Sequence, residues 1–142
     1  MKKALLLVIT IITILFILSS CRTKTNYEFL ETTDSIEEIS IVELSFDDDG
    51  TLVETEKRAI DDVYAFLDTF KRIDCYKYYG DPLGATQEGV KDTVIKITYK
   101  DGGYELISWR GQSKYTVENG LEYYAGYSVF DEAQFKELIE SQ

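Results

Sequence analysis

Hydrophobic positions fall into three regimes: an unbroken apolar run at the start, a sparse stretch, and then alternating or helically spaced residues to the end. Arg22 to Ser35 holds only Tyr27, Phe29 and Leu30 as large apolar residues, without sustained periodicity, and reads as a tether. From Ile36 the pattern changes. Ile39 and Ile41 alternate with polar neighbours, and Leu44 and Phe46 lead into Asp47-Asp48-Asp49-Gly50. That predicts a strand ending in a turn, with Gly50 supplying a positive φ and Thr51 to Arg58 returning as a second strand. Val63, Phe66, Leu67, Phe70 and Ile73 then recur every three or four residues, which puts them on one helical face. Asp61 or Asp62 is placed to cap this helix, and Lys71 and Arg72 stand near the negative end of its dipole.

Cys75 to Tyr79 reads as a short aromatic strand, closed by a loop at Gly80-Asp81-Pro82-Leu83-Gly84 that residues 85–92 continue. Thr93 to Tyr99 carries Ile95, Ile97 and Tyr99 on one face, and Asp101-Gly102-Gly103 turns it into Tyr104 to Arg110. Tyr115 to Glu118 and Leu121 to Tyr127 are joined by Asn119-Gly120, a tight-hairpin signal. The chain closes on a short helix with Asp131 as cap, Gln134 placed to complete a capping box, and Phe135, Leu138 and Ile139 on its apolar side. These elements predict an α+β domain over residues 36–142, an antiparallel meander sheet with two helices packed on one face.

The opening run carries a different message. Lys2 and Lys3 precede an uncharged stretch from Ala4 to Leu18, and small residues follow at Ser19 and Ser20 before Cys21, the layout of an export signal. The run is 15 residues long, short of the roughly 20 needed to span a bilayer core as a helix. An uncleaved anchor helix is therefore the weaker alternative.

Leu18-Ser19-Ser20-Cys21 resembles the lipobox of bacterial lipoproteins. The resemblance covers residues 1–21 and implies a diacylglyceryl group on the sulfur of Cys21 and cleavage just before it. Residues 1–20 are then a signal peptide, 21–35 a lipidated tether, and the mature chain is held at the cell membrane on its extracytoplasmic side. Two acyl chains suffice, since each buried methylene contributes about 0.8 kcal/mol and stable anchoring takes two such signals. The general layout also resembles small surface lipoproteins of Gram-positive-type bacteria, a likeness that implies no activity.

Cleavage would leave 122 of 142 residues, one domain's worth. The mature chain would carry 13 basic and 26 acidic residues, a net charge of −13. No Lys/Arg cluster forms a stripe able to release counterions, so nucleic acid is not an expected partner. With Cys21 lipidated, Cys75 is the sole thiol and no internal disulfide is possible. The absence of histidine removes the commonest general base and the commonest metal ligand.

The candidate sites are weak against ordinary structural roles. Asp47-Asp48-Asp49-Gly50 lacks the alternate acids, the sixth-position glycine and the twelfth-position glutamate of a calcium loop, so a solvated turn is expected and no metal. Cys75 has no histidine to serve as its base and reads as a small buried hydrophobe rather than a nucleophile. Neither Gly80–Gly84 nor Gly102-Gly103 has the strand-to-helix context of a phosphate cradle. The most suggestive feature is aromatic: if the helices cover the face bearing Ile95, strand parity would leave Ile107, Trp109 and Tyr124 on the open face, able to dock a protein or an envelope glycan. The expectation is a non-enzymatic binding or interaction module without a cofactor. The alternative is a carboxylate-dependent hydrolase, such as a glycosidase, at the cell envelope.

Overall fold

The computed structural model describes residues 23–49, 51–77, 92–117, 121–124 and 128–142. Its strands are β1 (Lys24–Thr25), β2 (Ile36–Phe46), β3 (Leu52–Ala59), β4 (Cys75–Lys77), β5 (Asp92–Tyr99), β6 (Tyr104–Ser108), β7 (Gly111–Thr116), β8 (Leu121–Tyr124) and β9 (Ser128–Phe130). Its helices are α1 (Val63–Phe70) and α2 (Glu132–Glu140). Every strand pair is antiparallel. Six strands form the main sheet in the order β3-β2-β5-β6-β7-β8, and β1-β4-β9 form a second, smaller one. The architecture is α+β, with β5 to β8 as the meander.

Register decides which residues become core. Ile41 lies opposite Ile95, Ile95 opposite Ile107 and Ile107 opposite Gln112, so one row crosses four strands on one face. That face packs against Phe66, Leu67 and Phe70 of α1 and Phe135 and Leu138 of α2. Both helices therefore cover the same side of the sheet. The far face carries a smaller cluster of Val42, Leu44, Val94 and Leu106. A bulge between Glu43 and Leu44 shifts the β2–β3 pairing, so that Glu43 faces Glu56 while Leu44 faces Glu54.

Local chemistry sets the element ends. Asp62 Oδ1 accepts from Ala65 N at 3.0 Å and starts α1, while Asp131 Oδ1 does the same for Gln134 N at 3.0 Å in α2. The capping box is not closed: the Gln134 amide oxygen accepts instead from Asp74 N at 2.8 Å, joining the start of α2 to the approach to β4. In the β2–β3 turn, Asp47 Oδ1 accepts from Asp49 N and Thr51 N at 3.0 and 2.8 Å, so that carboxylate holds the turn. Gly102 adopts φ 92° in the β5–β6 turn, a conformation glycine enters without Cβ strain.

Three expectations change. The stretch read as a tether belongs to the fold: Lys24–Thr25 pairs with β4, and Tyr27, Phe29 and Leu30 pack against the main core. The strand expected at Tyr115 to Glu118 begins earlier, at Gly111, because its ladder to β6 forms without an alternating apolar pattern in Gly-Gln-Ser-Lys. β9 was not foreseen as a separate strand. The expected turns at Gly50, Gly80–Gly84 and Asn119-Gly120 lie outside the described residues, as does Cys21.

Candidate functional site

Glu105 sits in a core row, opposite Ile97 on one side and Lys114 on the other, and is fully buried. A carboxylate there must be compensated, because an isolated charge in an apolar interior is strongly penalised. The hydroxyls of Tyr27 and Tyr99 and the backbone N–H of Leu30 all donate to it. Lys114 Nζ stands 3.9 Å from Oε2. Burial first, and then the neighbouring carboxylate, push the Tyr27 and Tyr99 hydroxyls well above the usual phenol range, so both remain donors at neutral pH. Lys114 also donates to the Glu28 carbonyl at 2.7 Å. This cluster clamps residues 27–30 onto the sheet.

The clamped segment forms one wall of a cleft of about 520 Å³. Tyr27 stands edge-on to Phe70, with ring centroids 5.6 Å apart, and Phe70 lies 5.2 Å from Phe130. With Phe29, Ile73 and Cys75 these rings give the cleft an apolar lining. Lys24, Lys71 and Arg72 also line it, and among the described residues no carboxylate does, although the chain holds 26 acids against 15 bases. Lys24 pairs with Asp74, whose hydrogen bond holds the ammonium above its usual value and itself below the usual carboxylate range. Arg72 pairs with Asp68 one turn back on α1 at 2.5 Å. Lys71, just past the last residue of α1, has no side-chain partner among the described residues.

The residues singled out from sequence are arranged otherwise. Ile107 is fully buried in the main core and Trp109 packs against that same core, so neither forms an open binding face. The parity expectation failed because Ile95 pairs directly with Ile107, and directly opposed residues share a face. Tyr124 is registered opposite Ser113, in the row of Leu106, and so is not grouped with them. The far face does carry a tyrosine pair, Tyr104 and Tyr115, stacked at 4.9 Å. Lys96 lies 5.1 Å from the Tyr104 centroid from the strand on the other side, so both faces of that ring are taken.

Cys75 is buried, and burial pushes its thiol up, which keeps it protonated and makes it part of the apolar wall. No group of three His, Cys, Asp or Glu residues able to hold a metal occurs among the described residues. No helix there is long and apolar enough to cross a membrane. No protein-family model, curated protein or solved structure matches the chain.

Sequence reasoning missed the cleft because its wall was assigned to the tether. The available signal was Tyr27-x-Phe29, two aromatics on alternate positions of an otherwise polar stretch. Glu105 was legible too, as an acid sharing strand parity with Ile107.

Proposed function

We propose that the protein is a membrane-anchored extracytoplasmic lipoprotein that binds, without chemical conversion, a small molecule combining an apolar body with an anionic group. The observation that carries this reading is the cleft, whose aromatic interior and three cations occur in a strongly acidic chain. Its volume lies within the roughly 300–1,000 Å³ of ordinary small-molecule sites. The lipobox-like Leu18-Ser19-Ser20-Cys21 supports the address.

A hydrolase finds less support. The Glu105 oxygens are engaged by three donors within the core. Asp92, whose carboxyl burial pushes up, occupies the opposite strand parity at the far end of β5. Register puts it about five residues along the sheet from Glu105, on the order of 17 Å at the rise of a strand. Paired carboxylates in glycosidases stand about 5–9.5 Å apart.

The test is titration with 1-anilinonaphthalene-8-sulfonate, an aromatic anion of the proposed kind, on protein shown to be folded by near-UV circular dichroism. Saturable binding of one dye per chain that weakens in Lys71→Glu is expected. A folded protein with no saturable site would remove the cleft from the account.

A further inference from the structure

We infer that the occupant of the cleft is an anionic phospholipid of the membrane that holds the chain, a deepening that rests on the binding and anchoring proposed above. Lys24, Thr25 and Asn26 line the cleft. Cys21 is three residues before Lys24, and three residues of extended chain reach at most roughly 11 Å. A lipid on that sulfur therefore keeps the cleft within about one headgroup layer of the bilayer, whatever path the intervening chain takes.

The chemistry of the cleft matches what it would meet there. A phospholipid presents a phosphate joined to an apolar body. The phosphate fits Lys71, which has no side-chain partner among the described residues, and beside it Arg72, whose planar guanidinium keeps N–H donors beyond the one it gives Asp68. The apolar part fits Tyr27, Phe29, Phe70 and Phe130. The body of the domain, in contrast, is strongly acidic and is repelled by an anionic leaflet. An acidic domain tied to such a surface settles with this cationic opening toward it. Lipid in the cleft would then fix the orientation in which the rest of the domain faces outward.

Native mass spectrometry of the full lipidated protein, in nonionic detergent with equal phosphatidylglycerol and phosphatidylcholine, tests this. One retained phosphatidylglycerol per chain is expected, preferred about tenfold. Lys71→Gln/Arg72→Gln should abolish that preference; both side chains are exposed, so the fold should be little disturbed. Equal retention of the two lipids, or a preference surviving the double substitution, overturns the inference. Displacement of the lipid by an equal concentration of glycerol 3-phosphate also overturns it, since the site would then read a free phosphate. A cleft that binds the naphthalene sulfonate but shows no lipid preference leaves the binding reading standing and removes only this one. A Cys21 without lipid removes the proximity on which the inference depends.

Discussion

Replacing Glu105 by alanine should be among the most damaging single changes in the chain, and the structure sets the scale. The substitution takes the acceptor from the Tyr99 hydroxyl, which belongs to a fully buried residue, and from the Tyr27 hydroxyl and Leu30 N–H, which are partly buried. An unsatisfied buried donor costs about 1–3 kcal/mol, and breaking a buried charge network about 3–5 kcal/mol. Tyr27 and Leu30 can recover part of their loss from water and Tyr99 cannot, so the expected total is ~3–5 kcal/mol. At roughly 4 °C per kcal/mol for a domain of this size, the melting temperature should fall by about 12–20 °C. Urea unfolding followed by far-UV circular dichroism gives the free energy directly. Glu105→Gln keeps one acceptor oxygen and should cost less, about 1–2 kcal/mol. The triple variant Glu105→Leu/Tyr27→Phe/Tyr99→Phe removes the acceptor and both hydroxyl donors, leaving only the partly buried Leu30 N–H without its partner, and should recover most of the stability lost in the alanine variant. A cost below about 1 kcal/mol for Glu105→Ala, or a triple variant no better than the single one, would refute the clamp.

Other consequences follow from the same structure. Phe66→Ala should cost ~3–5 kcal/mol because the ring is buried between α1 and the sheet; an unchanged melting temperature would take α1 out of the core. The stability that Tyr27 and Tyr99 supply should hold up to about pH 10, the ordinary tyrosine value, and fall above it, beyond a decline from Cys75 that starts nearer the ordinary thiol value. The sign follows because the folded state keeps Tyr27 and Tyr99 protonated while the unfolded chain releases those protons. Tyr27→Phe should flatten that decline in urea titrations run from pH 9 to 11, and an identical slope would contradict it. Lys57→Ala breaks only the exposed 2.8 Å pair with Glu38 and should shift stability by less than about 1 kcal/mol, measured by urea unfolding.

Most of the fold was legible because its signals are local. The spacing of Val63, Phe66, Leu67 and Phe70, the capping aspartates, and the alternation of Ile39, Ile41, Ile95 and Ile97 each fix an element within a few residues. What escaped depends on pairing partners distant in sequence. Lys24–Thr25 is a strand only because Cys75 and Tyr76 offer it a ladder, and β4 in turn is held by β9, more than fifty residues later. Gly111–Lys114 has no apolar alternation of its own and is recruited by the edge of β6. The parity of Ile107 turns on how the β5–β6 turn sets the register, and a single step there exchanges the two faces of the strand. The cleft depends on the β1–β4–β9 pairing, since its walls come from β1, the clamped segment, α1, β4 and β9. Its chemistry was visible as residue types and its assembly was not.

The measurement that bears most directly on the central claim is the intact mass of the protein recovered from the membrane fraction of a bacterial host expressing the full sequence, beside Cys21→Ser. A mature chain beginning at diacylated Cys21, absent from the serine variant, is the expected result. A full-length unmodified chain in the membrane, or a soluble product, would contradict the anchored binding module.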